Sequence, residues 1–116
     1  KAGQYEQSIK AFGQYLQKYP QSQYADNAQY WIGESHYVLR QYEPAIAQYQ
    51  KVIAGFPDSP KASQAMLKIG YAYDKLGKTD AAASTLIQLK QKFPGSAAAR
   101  LADEQLARMK VTPKAP

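Results

Sequence analysis

Apolar positions recur along this chain with the period of an α-helix. Between positions 22 and 40, and again between 60 and 76, small or apolar residues return every three or four positions, which places them on one face of a helix. The two stripes consist of Ala25, Ala28, Ile32, His36 and Leu39, and of Ala62, Ala65, Ile69, Tyr73 and Leu76. The pattern predicts one helix over each stretch, and we call these two the A helices.

Shorter apolar stripes predict three B helices, over about 5–18, 43–55 and 80–92. Their buried positions are expected at Ala45, Tyr49, Val52 and Ile53, and at Ala82, Leu86 and Leu89. A last helix near 97–110 takes the place of a further A helix and is expected to cap the stack. It carries Leu101, Leu106 and Met109 among charged residues. The chain is therefore predicted to be all-α.

The same residues return after a fixed step of 37 positions. An aromatic residue followed by proline occurs three times at this spacing, and a serine lies two positions after each proline. The pairs are Tyr19-Pro20, Phe56-Pro57 and Phe93-Pro94. A period of this length is typical of a solenoid, in which each unit is a pair of helices stacked on the next pair. The step predicts a solenoid of antiparallel helix pairs.

Local signals predict where the helices begin and end. The residue before proline is pushed out of the α region, so each aromatic-proline pair ends a B helix. The serine after it is expected to cap the next A helix, and Pro60 suits a first helical position. Gly77 can take the left-handed backbone that stops an A helix, and Thr79 is expected to cap the following B helix.

Gly33 and Gly70 lie in the middle of the A helices, where glycine costs about 1 kcal/mol relative to alanine. Close approach of a bulky side chain from the partner B helix would offset that cost. Tyr49 and Leu86 are the expected contacts.

The pattern resembles the tetratricopeptide repeat family. A unit of that family places glycine after a large apolar residue, then an aromatic residue, an alanine, a second aromatic residue and a proline at fixed spacings. Two units match, at Ile32, Gly33, His36, Ala45, Tyr49 and Pro57, and at Ile69, Gly70, Tyr73, Ala82, Leu86 and Pro94. The usual period is about 34, so each unit here carries about three extra residues. The resemblance implies an all-α, tetratricopeptide-type solenoid that binds protein and has no catalytic activity.

The register divides the chain into one domain over 1–110 and a flexible tail over 111–116. It predicts a partial first repeat over 1–21, a second repeat over 22–58, a third over 59–95 and a capping helix over 96–110. The first repeat opens in a B helix whose A helix lies upstream, so Phe12 and Tyr15 lack their cover. A preceding segment or a second copy of the chain is expected to shield that face.

A narrower resemblance covers residues 3–109. Three segments carry it: Tyr19-Pro20-Gln21-Ser22, Tyr30-Trp31-Ile32-Gly33-Glu34 and Phe56-Pro57-Asp58-Ser59. They are similar to the C-terminal domain of the periplasmic cell-division coordinators of the Tol-Pal system. That family implies a periplasmic scaffold that binds a TolA-like protein and connects it with the peptidoglycan synthesis machinery during envelope constriction. The trimerising coiled coil of that family is not in this chain.

Two other functions stay open at this point. Outer-membrane assembly lipoproteins share part of the Tyr-Pro-Ser and alanine-rich pattern, so the chain also fits a generic peptide-binding adaptor, or an assembly component with a different client. The other possibility is that the chain is a regulatory domain fused to an enzyme.

Composition removes several classes of function. The chain has no cysteine and a single histidine, His36, so neither a disulfide nor a thiolate or imidazole metal site is predicted. Its apolar runs are far shorter than the roughly 20 residues that cross a bilayer. The net charge of +6 is spread over the chain with acids between the basic residues, which argues against nucleic acid. No phosphate loop or nucleophile motif occurs, so neither an enzyme nor a cofactor is predicted.

The accessible face of the A helices is the predicted binding site. A helices line the inner side of such solenoids, where peptides and partner helices bind, and tyrosine and tryptophan are enriched at the residues that dominate binding energy. The alternative for Tyr30, Trp31 and Tyr37 is packing against a neighbouring helix. The predicted partner-binding groove consists of Asn27, Tyr30, Trp31, Glu34, Tyr37, Gln64, Leu67, Lys68, Tyr71, Asp74 and Lys75.

Overall fold

A computed structural model of the chain describes residues 1–109, which form six α-helices and no strand. The helices are α1 (Ala2–Lys18), α2 (Ala25–Val38), α3 (Tyr42–Gly55), α4 (Pro60–Lys75), α5 (Thr79–Lys92) and α6 (Ala97–Arg108). In the repeat register α2, α4 and α6 are A helices, and α1, α3 and α5 are B helices. The prediction of an all-α repeat is confirmed. The tail over 111–116 and residue 110 of the capping helix lie outside the described residues.

Two of the three predicted serine caps are present. The hydroxyl of Ser59 accepts the N–H of Lys61 at 3.0 Å, and that of Ser96 accepts the N–H of Ala99 at 3.0 Å. The expected cap at Ser22 is wrong, because α2 begins only at Ala25 and has no side-chain cap.

Ser22 takes part in a turn before α2 instead. Its hydroxyl lies 2.5 Å from that of Tyr15 and accepts the N–H of Tyr24 at 3.0 Å. The expected cap at Thr79 is also wrong, since Thr79 is the first residue inside α5 and makes no cap hydrogen bond. Local sequence thus predicted where the helices break, but not which hydroxyls cap them.

The chain leaves each complete A helix through a left-handed residue. Gly77 has φ of 75°, as predicted, and Arg40, one repeat earlier, has φ of 62°. This backbone is ordinary for glycine and uncommon for arginine, so the turn geometry belongs to the repeat and not to glycine alone.

The helices pack on their neighbours in sequence, and the A helices also contact one another. Within residues 1–109, Cα atoms of α2 and α4, and of α4 and α6, come within 8 Å of one another, whereas those of α1 and α3, or of α3 and α5, do not. Because the A helices are close together and the B helices are apart, the stack bends toward the A helices. Their layer forms the inner side of the curve.

Two apolar clusters fill the space between the layers. The first holds Tyr30, Ala45, Tyr49, Val52 and Ile69, and the second holds Leu67, Leu86, Leu89, Ala102 and Leu106. Ile53 packs against both clusters and joins them into one core. The predicted glycine contacts are confirmed, since a Cβ added to Gly33 would lie 2.7 Å from the Tyr49 ring and one added to Gly70 would lie 2.5 Å from Leu86.

Candidate partner-binding face

Three A helices present one accessible face on which equivalent positions line up at the step of 37. Trp31, Lys68 and Gln105 occupy one row, and Glu34, Tyr71 and Arg108 occupy the next. We call the accessible and half-buried residues on this side the inner face; they are Asn27, Trp31, Glu34, Tyr37, Gln64, Lys68, Tyr71, Asp74, Lys75, Gln105 and Arg108.

Two residues of the predicted groove are buried and belong to the core. Tyr30 is 6% exposed and packs on Tyr49, with ring centroids 5.7 Å apart. Leu67 is also 6% exposed and lies in the cluster around Leu86. Tyr30 therefore packs against the neighbouring helix α3, which was the alternative to a place in the groove. Trp31, by contrast, is 44% exposed.

A charged and aromatic cluster lies at the centre of the inner face. The Tyr49 hydroxyl donates a short hydrogen bond to Glu34, and the Lys68 ammonium lies 3.6 Å from the same carboxylate. The ammonium is 5.0 Å from the ring centroid of Tyr37 and 6.0 Å from that of Tyr71, within the range of a cation–π interaction. The cluster ties α2, α3 and α4 together, so Glu34 and Lys68 have structural partners of their own.

The tyrosines of this region keep their protons well above neutral pH. Burial raises the pKa of Tyr37 to about 12, and the neighbouring tyrosines and the Glu34 and Asp74 carboxylates add to the effect. Burial first, and then the hydrogen bond to Glu34, holds the pKa of Tyr49 far above its ordinary value. Burial also raises the pKa of Tyr71. These side chains are therefore neutral hydrogen-bond donors and not bases.

A pocket of about 260 Å³ opens between α2, α4 and α6. Gln105 donates to the Asp74 carboxylate at 3.1 Å and accepts from the Arg108 guanidinium at 3.2 and 3.0 Å. The pocket is lined by Tyr37, Tyr71, Asp74, Lys75, Gln105 and Arg108. Aromatic walls with one acidic and two basic groups suit a polar or amphipathic side chain of a peptide.

Sequence reasoning missed the two residues that α6 contributes to this pocket. Gln105 and Arg108 lie one repeat after Lys68 and Tyr71, so the step of 37 already pointed to them. They were overlooked because the last helix was assigned only a capping role.

Residues 1–109 contain no group of three or more His, Cys, Asp or Glu side chains placed to hold a metal ion. Within the same range, every helix falls short of the length or the hydropathy that a bilayer-crossing helix needs.

Comparison with known families agrees with this architecture. A family model described as tetratricopeptide repeat matches residues 1–60, and a second with the same description matches residues 64–96. The first match covers more than half of the chain, which therefore belongs to the tetratricopeptide repeat family. Repeats of this family form a non-enzymatic fold for protein–protein interaction.

Two curated proteins of Pseudomonas putida, one of them from strain KT2440, are similar to a shorter part of the chain. Both are named cell division coordinator CpoB, and each is 57% identical over 30 residues. The matched segment is 26% of this chain and spans 11% of the length of each relative.

Proposed function

We propose that this chain is a non-catalytic scaffold module that holds a protein partner on its inner face. The observation that carries the proposal is the alignment of accessible aromatic and charged residues on three successive A helices, ending in the pocket beside Tyr71. A partner segment lying across the A helices would contact Trp31, Tyr71 and Arg108 in turn. Solenoids bind extended or helical ligands in this way, through residues from successive repeats.

The proposed partner is a TolA-like periplasmic protein of the Tol-Pal system. Two observations support it: the resemblance of residues 3–109 to the Tol-Pal coordinators, and the similarity to the relatives named cell division coordinator. In this role the chain works in the periplasm and coordinates envelope constriction with peptidoglycan synthesis. The alternative is a peptide-binding adaptor or outer-membrane assembly component that uses the same face for another client.

The test is titration calorimetry with the purified periplasmic domain of the TolA-like protein from the same organism. The double variant Trp31→Ala, Tyr71→Ala removes two aromatic side chains from the inner face, and binding is expected to weaken at least about tenfold. The matched control is Tyr19→Ala, because Tyr19 is 47% exposed and lies outside the inner face. The control should bind like the unaltered chain.

Two results would contradict the proposal in different ways. Equal binding by the double variant and the unaltered chain would move the site away from the inner face. No binding by the unaltered chain would remove the TolA-like partner and leave the adaptor alternative. Circular dichroism of each variant shows whether the fold is intact.

A further inference from the structure

The pocket between α2, α4 and α6 contains more positive than negative charge. Its lining includes the cations of Lys75 and Arg108 but a single carboxylate, that of Asp74. Lys75 and Arg108 are exposed, and within residues 1–109 neither of them forms an ion pair with a carboxylate. The described part of the chain therefore leaves both cations beside Tyr71 without a counter-ion.

The amide of Gln105 separates the carboxylate of the pocket from the guanidinium. Its Nε2 donates to Asp74 at 3.1 Å, and its Oε1 accepts from Nε and Nη2 of Arg108 at 3.2 and 3.0 Å. Asp74 thus already has a donor, whereas the acceptor of the guanidinium is a neutral oxygen. A guanidinium carries more N–H groups than these bonds use, so Arg108 can still donate to a ligand.

Two tyrosine hydroxyls add neutral donors to the pocket. Burial raises the pKa of Tyr37 to about 12. Burial also raises the pKa of Tyr71, while the charge of Arg108 lowers it and that of Glu104 raises it. Both hydroxyls are therefore protonated at neutral pH and can donate to an anion. The rings of the same residues form apolar walls on which the methylene groups of a side chain can pack.

Two further carboxylates lie near the pocket without lining it. Glu34 already has a cation of its own, because the Lys68 ammonium lies 3.6 Å from its carboxylate. Glu104 is exposed on α6 and is equivalent to Leu67 at the step of 37. Leu67 packs in the cluster toward the next helix pair, so Glu104 lies on the side of α6 that faces away from α4.

The positive charge is confined to one end of the inner face. Helix α2 contains Asp26 and Glu34 and has no lysine or arginine. Lys75 is equivalent to Val38 of α2 at the step of 37. A partner segment that crosses the A helices therefore contacts an apolar and acidic surface on α2 and a basic pocket at α6.

We infer that this pocket binds the carboxylate of an aspartate or glutamate side chain of the partner segment, which lies with its acidic part toward α6. The pocket is part of the inner face, so the inference rests on the proposed function. A basic side chain would be repelled by Lys75 and Arg108, and it would find the Asp74 carboxylate already hydrogen-bonded. The carboxylate of a chain terminus has the same charge but no methylene groups of its own to pack between the tyrosine rings.

The first experiment uses short peptides and does not depend on the identity of the partner. Three alanine peptides, acetylated and amidated at their ends, carry a central glutamate, glutamine or lysine. A fourth contains alanine alone and has a free terminal carboxylate. Each is titrated into the isotope-labelled chain at low ionic strength and followed by NMR. The glutamate peptide is expected to shift the amide signals of residues 71–75 and 105–108 saturably, and the other three are not.

Two variants of α6 test the residue on which the charge argument depends. With Arg108→Gln, the affinity for the glutamate peptide should fall at least about threefold, because the guanidinium charge is lost. The matched control is Arg100→Gln, since Arg100 is an exposed arginine in the first turn of the same helix. It lies about 12 Å from Arg108 along the helix axis, beyond a Debye length of about 10 Å, so the shifts should persist. Circular dichroism shows whether both variants are folded.

Three results of the titration would overturn the inference. One is the absence of saturable shifts with the glutamate peptide. Another is equal shifts with the glutamine or lysine peptide, which would show that the pocket does not select a carboxylate. The third is an equal response to the peptide with a free terminus, which would assign the pocket to a chain end instead of a side chain.

Calorimetry with the TolA-like periplasmic domain separates this inference from the proposed function. Arg108→Gln is expected to weaken binding at least about threefold, and added salt should weaken the unaltered chain more than the variant. Equal binding by Arg108→Gln, together with no peptide shifts, would overturn the inference and leave the proposed function intact. No binding by the unaltered chain, together with the expected peptide shifts, would remove the named partner and support the acidic ligand.

Discussion

Glycine has opposite energetic roles at different positions of this chain. A Cβ added to Gly70 would lie 2.5 and 2.8 Å from two carbons of Leu86, a side chain that is fully buried. Gly13 also lies inside a helix, but a Cβ there would have no neighbour within 4 Å. Gly70 is therefore a packing surface, whereas Gly13 contributes only backbone freedom that folding must remove.

Gly70→Ala is expected to destabilise the chain by up to about 2 kcal/mol. Overpacking against Leu86 should destabilise the fold by about 1–3 kcal/mol, and the higher helix propensity of alanine should stabilise it by about 1 kcal/mol. Gly13→Ala is the matched control and should raise the free energy of unfolding by about 0.5–1 kcal/mol. Urea unfolding measures both, and a stabilised Gly70→Ala variant would contradict the packing role.

The buried tyrosines predict loss of stability in alkali. The pKa of Tyr37 is raised to about 12, and those of Tyr30, Tyr49 and Tyr71 are raised as well. Above pH 10 the unfolded chain loses phenolic protons that the folded chain keeps, so the free energy of unfolding should be constant below that pH and fall above it. Urea unfolding at several pH values, together with tyrosinate absorbance, tests this. Tyrosinate that appears before unfolding would argue against it.

The helices differ in whether a side chain caps their first turn, and this decides what a serine or threonine there contributes to stability. At α4 the Ser59 hydroxyl accepts the Lys61 N–H and also donates to the Asp26 carboxylate at 2.6 Å. It therefore caps its own helix and links it to the start of α2. At α5 the first residue, Thr79, makes no such bond.

Ser59→Ala is expected to lower the free energy of unfolding by about 1–2 kcal/mol, because it removes a helix cap and leaves Asp26 without that donor. Thr79→Ala removes a hydroxyl of similar size that caps nothing and should change stability by less than about 0.5 kcal/mol. Thermal unfolding of the two variants side by side checks the difference. A cost at Thr79 equal to that at Ser59 would count against the assigned cap.

At the scale of the whole molecule, stability is distributed along a one-dimensional stack. Within residues 1–109, α1 contacts only α2, and α6 contacts only α4 and α5. A substitution in a helix at one end can therefore affect the stability of the other end only through the helices between them, as in other repeat proteins.

Leu106→Ala tests this distribution. Leu106 is only 2% exposed and lies in the second apolar cluster. The variant is therefore expected to lower the free energy of unfolding by about 2–5 kcal/mol. Amide exchange should increase more in α5 and α6 than in α2 and α3. Leu101→Ala is the control, because Leu101 is 41% exposed. An equal increase in exchange in all helices would show instead that the stack unfolds as one unit.

Periodic features of the fold were predictable from the amino-acid sequence, and those that depend on one tertiary contact were not. The step of 37 predicted the helix pairs and the contacts at Gly33 and Gly70, because each unit repeats the same packing. Helical spacing alone could not tell that Tyr30 turns into the core, since the adjacent Trp31 has the same apolar character. The cap at Ser22 failed because the Tyr15 hydroxyl, seven positions away, engages its oxygen.

The two end helices are attached differently, so they should detach in a fixed order when the molecule is stretched from its termini. The described residues extend over 46 × 29 × 17 Å, with α1 at one end held by a single neighbour and α6 at the other held by two. α1 has no buried residue, whereas α6 buries Ala98, Ala99, Ala102 and Leu106. A pull on both termini is therefore expected to detach α1 first, while the inner face stays assembled.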